Sequence, residues 1–566
     1  MNRLKRNKFN YNDVVVIAVL LLIFTLLFKG WIDMHGSYDY NSNFVISLDL
    51  HNLPYYTLRT TMRLLIGLVF SLIFAVLFGT LAAKYKSLER VILPFVNFME
   101  SVPLVGFLSF TTIYFIGLYP HSMMGLEWAA IFGVFTAQAW NMCLIVYQTL
   151  KIVPQDLLEA SKMFHYGPWQ RFWAIEFPYA IPGLLWNTMV SQSAAWFALV
   201  ATEAIPVKAD TIALPGIGSY IARALSNGDK FAVISAIIAL VLNIIILDQL
   251  LFRPLVRYAH RFKFEDLASV NRNSSWFYDC LDHSLIGSYL TRMFNACSRQ
   301  IVFKIPERLK HKFPNFKIPQ LLVKAADKIW YVAIALLLAY FLHKLWLYFP
   351  KLEFSKMPYL MLLTSLRVFI AMFLSIIIFV PLGVWIGLNP TLMRYCQPII
   401  QIMAALPANI FYPLLAIFLI ASHQSLNVWS IFLIMIGTQW YILFNVIAGT
   451  STVPNQLLEV SKTFQVKGYM WWRKFMIPAI FPYIVTGIIS AAGGAWNASI
   501  TAEVIQWGSH ANRALGLGEY IADTTLNNQL PNAALGCSAM CLIVGLCIIF
   551  IWHPLYKMAE NRFKVS

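Results

Sequence analysis

The sequence predicts an all-α polytopic membrane protein of about twelve transmembrane helices, arranged as two tandem six-helix halves that form a pseudo-twofold dimer. Three observations predict this. The 566-residue chain is 59% hydrophobic and only 12% charged, whereas soluble globular domains carry roughly 25% charged residues. Apolar stretches of about membrane-crossing length recur along it, and lipid-exposed spans of ~20 residues must be helices that satisfy their own backbone hydrogen bonds. Finally, the chain repeats itself. PQDLLEASKMF from Pro154 returns as PNQLLEVSKTF from Pro454, and a shift of 300 also carries Pro178 onto Pro478, Trp196 onto Trp496 and Glu203 onto Glu503. Upstream the shift is 304, so that Arg63 meets Arg367, Gly79 meets Gly383 and Pro103 meets Pro407.

So long a period is no solenoid repeat. It is a whole membrane domain duplicated, and two such halves can enclose a path between them. Residues 1–261 make the first half, with a core at about 55–260. Residues 262–328 make a polar linker, and residues 329–566 the second half, with a core at about 359–560.

Each element follows from the apolar pattern. Spans lie near 13–30, 62–83, 92–118, 126–150, 177–204 and 231–252. They recur near 329–348, 365–388, 397–420, 428–449, 477–505 and 533–553. With both termini in the cytoplasm, the basic stretches fall inside: the first eight residues, KYKSLER, the repeated segments, the linker and the C-terminus. That is the excess of Lys and Arg expected of cytoplasmic loops. The net charge of +17 is therefore topology charge and does not point to nucleic acid. The seven cysteines show neither a disulfide framework nor zinc-ligand spacing. The basic start and apolar 14–28 stretch resemble a signal peptide, but FKGWIDMHG offers no small-residue cleavage site, so it reads as an uncleaved anchor. Within the linker, SWFYDCLDHSLIGSYLTRMF either tethers the halves or forms an amphipathic helix lying on the membrane or a partner.

The repeated segments, 154–173 and 454–473, have a definite physical character. Pro154 and Pro454 suit a helix start. Leu157, Leu158, Ala160 and Met163 supply an apolar side, while Glu159 and Lys162, like Glu459 and Lys462, share a polar one. Gly167 and Gly468 then break the helix before the next span. A short helix between two spans, charged toward the cytoplasm, suits docking into a groove on a soluble partner.

In these segments the chain resembles the permeases of binding-protein-dependent ABC importers. Glu159-Ala160-Ser161 with Pro178, and Glu459-Val460-Ser461 with Pro478, look like the family's Glu-Ala-Ala pattern and the proline 19 residues after the Glu. The resemblance implies that each segment is a coupling helix seated in an ATPase subunit. Where the family has a glycine, six residues after the Glu, this chain has His165 and Gln465; Gly167 and Gly468 are the nearby candidates to take over that turn. Downstream, AAWFALVATEAI with PGIGSYIARAL, and GAWNASITAEVI with LGLGEYIADTT, resemble the nitrate/sulfonate/taurine branch, as do LRTTMR and TSLRVF upstream. Relatives mostly pair as dimers, so this chain reads as two permease domains fused.

No G-x-x-x-x-G-K-[ST] occurs, so no phosphate-cradling loop is encoded, and no metalloprotease or nucleophile-elbow motif is present. The resemblance therefore implies a transport subunit rather than an enzyme. No cofactor is expected on this chain, and ATP and Mg are expected on separate partner subunits. The implied partners are two copies of a cytoplasmic ATPase, a periplasmic solute-binding protein and the lipid bilayer of a bacterial inner membrane. The implied substrate is a small anion such as nitrate, a sulfonate or taurine. A fused permease of another importer branch, such as ferric iron, is the alternative within the class. An ion-coupled secondary transporter and a membrane scaffold that moves no solute stand outside it.

Several residues carry two readings. Trp196 and Trp496 either fill core or close the path, if their helices face each other. Glu203 and Glu503, near the outer span ends, are intramembrane ionisable groups and so functional candidates, or they anchor loop backbone. Gln192 and Asn497, with Asn187, Ser191, Ser499 and Thr501, either bond between helices or meet substrate. Gly216, Gly218, Gly516 and Gly518 read as backbone bends in the outer loop, where a delivery protein docks.

Overall fold

A computed structural model describes residues 10–34, 46–207, 210–262, 276–300 and 352–562, except 121, 452, 508–509 and 528, with isolated positions between 302 and 343. Most of the predicted span at 329–348, the HGSYDYNSN loop and the PERLKHKFPNFKIP part of the linker lie outside the described residues. The first half runs α1 (Tyr11–Met34), α2 (Leu53–Lys84), α3 (Lys86–Ser101), α4 (Leu104–Leu118), α5 (Met123–Lys151), α6 (Gln155–Met163), α7 (Pro168–Arg171), α8 (Phe177–Glu203), a hairpin β1 (Ala204–Val207) and β2 (Asp210–Ala213), α9 (Ile217–Asn227), α10 (Lys230–Leu247) and α11 (Arg253–Ala259). Two linker helices follow, α12 (Trp276–His283) and α13 (Leu285–Arg299).

The second half repeats the order from α2 onward. It runs α14 (Met357–Leu388), α15 (Pro390–Ala405), α16 (Tyr412–Ser422), α17 (Leu426–Ser451), α18 (Asn455–Thr463), α19 (Gly468–Trp471), α20 (Ile477–Ala502), β3 (Val504–Trp507), β4 (His510–Arg513), α21 (Leu517–Leu526), α22 (Leu530–Cys547) and α23 (His553–Arg562). The protein is thus an all-α polytopic membrane protein with two tandem repeats. Among the described residues, seven helices are long and apolar enough to cross a bilayer, beside shorter apolar helices.

The apolar stretches 92–118 and 397–420 are not single spans. Each is two helices, broken at Val102-Pro103 and Leu406-Pro407, where Val102 and Leu406 adopt extended backbone (ψ 122° and 126°). A proline disfavours helical backbone in the residue before it, so one apolar run yields two helices. At the start of the first run, Tyr147 and Lys151 donate to Glu89 at 2.7 and 3.0 Å. These bonds hold the Glu89 carboxyl below its usual range. The outer hairpins β1–β2 and β3–β4 pair antiparallel over four residues each and went unpredicted.

The halves interlock rather than merely abut. α3 and α4 pack on α20 and α22 of the other half, α15 packs on α8 and α10, and each hairpin's first strand touches the opposite half's α21 or α9. The core around Tyr56, Trp196 and Tyr220 accordingly includes Leu406 and Ile410 from the second half. The duplicated packing is visible in single contacts. A Cβ on Gly79 would meet Val146, and one on Gly383 would meet Val446.

The linker segment forms two helices rather than one, parting at Ser284. Asp13 of α1 accepts from the backbone N–H of Leu285 at 2.6 Å and of Ile286 at 3.4 Å. It thereby caps α13 from 272 residues away and satisfies donors that every helix start leaves open. Arg257 pairs with Asp279 of α12 at 2.7 Å. This part of the linker therefore folds against the first half.

Candidate functional site

Three features occupy corresponding places in the two halves or the boundary between them: an exposed pair of short helices, a buried ionic cluster, and a central cavity.

The short helices are α6 and α18. Glu159, Lys162, Glu459 and Lys462 are exposed, while Ser161 and Ser461 are buried and donate to the carbonyls of Leu158 (2.6 Å) and Leu458 (2.8 Å). Ala160 is half-buried and Val460 exposed. Met163, expected on the packed side, is 82% exposed, and Phe164 and Phe464 project with it at 72% and 76%. Each helix ends in a Schellman turn. Tyr166 N–H donates to Ser161 O and His165 N–H to Lys162 O; Val466 and Gln465 do the same with Ser461 and Lys462, all at 3.0 Å. That motif puts its C′ residue in the left-handed region, usually as glycine.

Here His165 (φ 56°) and Gln465 (φ 52°) occupy it themselves. Gly167 does not take over the turn: its φ is −67°, and it starts α7 instead. Gly468 has φ 59° but opens α19, three residues too late to close α18. Left-handed backbone costs an L residue roughly 1–2 kcal/mol. Replacing His165 and Gln465 by glycine is therefore expected to leave the fold intact and to raise, not lower, the thermal unfolding temperature measured in detergent.

The ionic cluster sits at the top of α8 and α20. Glu203 and Glu503 are fully buried. Arg63 donates to Glu203 at 2.7 Å and Arg367 to Glu503 at 2.8 Å. Thr60 and Thr364 donate to the same carboxylates at 2.7 and 2.8 Å, while accepting from Ile217 N–H and Leu517 N–H. The second carboxylate oxygen accepts from Gly218 N–H or Gly518 N–H, each at 2.7 Å. Each glutamate thus holds the first turn of α9 or α21 with its side chain. Its main-chain carbonyl accepts from Leu214 or Ala514, closing the hairpin.

The halves differ in a charge-matched way. Arg63 also reaches Glu127 at 2.5 and 2.7 Å, and Arg59 binds Glu127 as well. In the second half Asn427 stands at the place of Glu127 and accepts from Arg367 at 2.8 Å, while Leu363 stands at the place of Arg59. Losing one acid together with one base keeps each buried cluster neutral, as a low-dielectric interior requires.

Gly216, Gly218, Gly516 and Gly518 are buried against this cluster rather than forming bends on the outer surface. Gly216 and Gly516 have extended backbone (φ −176° and −179°), and any Cβ there would run into the glutamate carboxylate. A Cβ on Gly218 would lie 2.5 Å from Val200 O, and one on Gly518 2.6 Å from Ile500 Cα. Space, not backbone freedom, demands glycine. Gly218→Ala is expected to cost about 1–3 kcal/mol through overpacking, read as a lowered unfolding temperature of the purified protein.

The cavity, about 80 Å³, lies between the halves and is lined by pseudo-equivalent pairs: Asn141 and Tyr441, Ser193 and Gly493, Phe197 and Asn497. Asn497 accepts from Leu104 N–H at 2.7 Å, tying α20 to α4 across the boundary. Trp196 and Trp496 do not line it. Each is 2% exposed or less and lies in a separate core, Trp196 with Leu406 and Ile410 and Trp496 among second-half residues, so the pair does not meet across the pseudo-twofold; Phe197 and Asn497, one residue on, do face the cavity. Gln192 is also turned away from it, buried with its Nε2 donating to Thr188 O at 3.3 Å.

Sequence reasoning singled out neither the arginine partners of Glu203 and Glu503 nor Glu100, Asn141 and Tyr441 in the cavity. Arginine in register within apolar spans at 63 and 367 was the available signal.

Residues 75–253 and 379–565 each match the family described as binding-protein-dependent transport system inner membrane component. The chain belongs to that family. Two matches in one polypeptide make it a fused pair of the family's domains, a multi-pass membrane transport subunit of the ABC permease type. Among curated proteins, the permease is 30% identical over 162 residues to the bicarbonate transport system permease protein CmpB of Synechocystis sp., covering 29% of this chain and 55% of that protein. It is 27% identical to the nitrate import permease protein NrtB of Leptolyngbya laminosa, over 28% of this chain and 53% of that one. With the taurine transport system permease protein TauC of Escherichia coli it shares 25% identity, over 28% and 56%. The chain spans about half the length of the curated relatives it matches.

Proposed function

We propose that this permease is the membrane-spanning component of an ATP-driven importer. It would take a small solute from a binding protein at the outer face of a bacterial inner membrane and pass it through the cavity between its halves. Two copies of a cytoplasmic ATPase, carrying the ATP and Mg, would seat on α6 and α18, with both termini of the permease on the same side. The observation that carries this reading is the pair of α6 and α18, alike in sequence and in end geometry. Each presents an exposed Glu and Lys beside a bare aromatic, and exposed apolar groups of this kind mark interaction sites. Each leads through an aromatic stretch into the helix, α8 or α20, that lines the cavity. A rigid-body pull on both helices then rocks the halves, provided ATP and partners bind the two states unequally. The substrates named for the relatives, bicarbonate, nitrate and taurine, support a small solute such as nitrate, a sulfonate or taurine.

The test is affinity purification of the tagged protein from its native membrane, with co-purifying chains identified by mass spectrometry. An ATPase bearing phosphate-cradling loops and a solute-binding protein are expected. Isolation without any ATPase, together with uptake that survives ATP depletion and collapses with the proton gradient, would replace this reading with gradient-driven transport.

A further inference from the structure

The cavity between the halves is chemically lopsided. Its lining includes Glu100 of α3, and among the described residues it includes no Lys, Arg or His. The repeat places Ala404 where a second Glu100 would stand, so the acid belongs to the first half alone. Its carboxylate takes a hydrogen bond from the Asn141 amide; Tyr441, the pseudo-equivalent of Asn141, shares a hydrogen bond with Ser193 instead. A carboxylate in a membrane interior is normally paired. Glu203 and Glu503 obey that rule with arginines at 2.7 and 2.8 Å. Glu100 has one amide, and faces a cavity with aromatic walls from Phe107, Trp140, Phe197 and Tyr441. A carboxylate supplemented by aromatic faces is a recognition set for an ammonium group.

We infer that Glu100 receives the protonated amine of the transported solute, so that the substrate is an amine-bearing cation or zwitterion and not a bare oxyanion. The inference rests on the importer reading above and narrows its substrate. An oxyanion would approach an acidic side chain with no cation in the lining to offset it. An aminosulfonate brings its own cation and can turn its anionic end toward Ser193, Asn497 and the open side of the cavity.

The experiment uses the complex purified with its ATPase and binding protein and reconstituted into proteoliposomes. Initial uptake rates are measured for taurine, ethanolamine and benzylamine, and for isethionate, nitrate and bicarbonate, which lack an amine. At least one amine is expected to enter at ten times the rate of every amine-free probe. Glu100→Gln should lower that rate at least tenfold, and Glu100→Asp should restore part of it. Uptake of nitrate, bicarbonate or isethionate as fast as the best amine would overturn the inference, as would an ATPase-active complex that carries no amine. Unchanged amine uptake by a Glu100→Gln complex that retains its ATPase would overturn it too. The wild-type probe comparison stands even where the variant fails to fold. Loss of ATP-dependent uptake of every probe by a complex that hydrolyses no ATP would instead count against the importer reading.

Discussion

Reversing the charge on both short helices, Glu159→Lys with Glu459→Lys, is expected to abolish ATP-dependent uptake while leaving the protein inserted and folded. The two effects separate because both glutamates are exposed. Exposed substitutions of this kind usually change stability by no more than about 0.5 kcal/mol. Even a full i,i+3 pairing with Lys162 or Lys462 would be worth at most about 0.2–0.5 kcal/mol. Nothing in the folded permease therefore opposes the change, and a large loss must come from a partner surface built for a negative charge. At such an interface, two like charges brought together cost several kcal/mol, and two sites in one assembly compound the loss. Single reversals should reduce uptake and co-purified ATPase in part, and the double reversal should remove both. Full uptake by the double variant would sink the coupling role of these helices.

The second large effect is on stability. Arg63→Met should destabilise the protein by about 3–5 kcal/mol, the usual consequence of removing one partner from a buried ionic cluster. Arg63 bridges Glu127 and Glu203, so its loss leaves two buried carboxylates facing the single remaining cation of Arg59. Arg367→Met likewise leaves one uncompensated carboxylate, Glu503, because Asn427 is neutral; its unfolding temperature in detergent should fall comparably. Adding Glu203→Gln to Arg63→Met rebalances the charge and should recover part of the loss. Equal unfolding temperatures for wild type and Arg63→Met would show that the cluster does not hold α2 to α8 and α9 energetically.

Much of this architecture was legible in the chain because membrane folding obeys local rules. A run of ~20 apolar residues must be a helix. A repeat in register must fold twice, and PQDLLEASK must start and stop as a short polar helix wherever it lies. Those signals set the helical class, the two halves and the exposed pair at Glu159 and Glu459. Local rules also contained the break at Pro103 and Pro407, although the apolar runs around them disguised it as single spans.

Other features were decided by tertiary packing. Glu203 reads alike whether it reaches water or binds backbone; only the approach of Arg63 from 140 positions away makes it the buried clasp of α9. Trp196 and Phe197 are adjacent large aromatics on one helix, and sequence cannot say which faces the centre. That depends on how α8 is rotated against α15 and α4, which put Trp196 in the core with Leu406 and Ile410 and Phe197 on the cavity. Glu100 gave no repeated signal at all, since its counterpart is Ala404. Sequence by itself determined what is duplicated and what is apolar, because both are properties of neighbouring residues. Structure alone decided which polar groups meet across the pseudo-twofold. That depends on side chains hundreds of positions apart finding one another in a medium where an unpaired charge is costly.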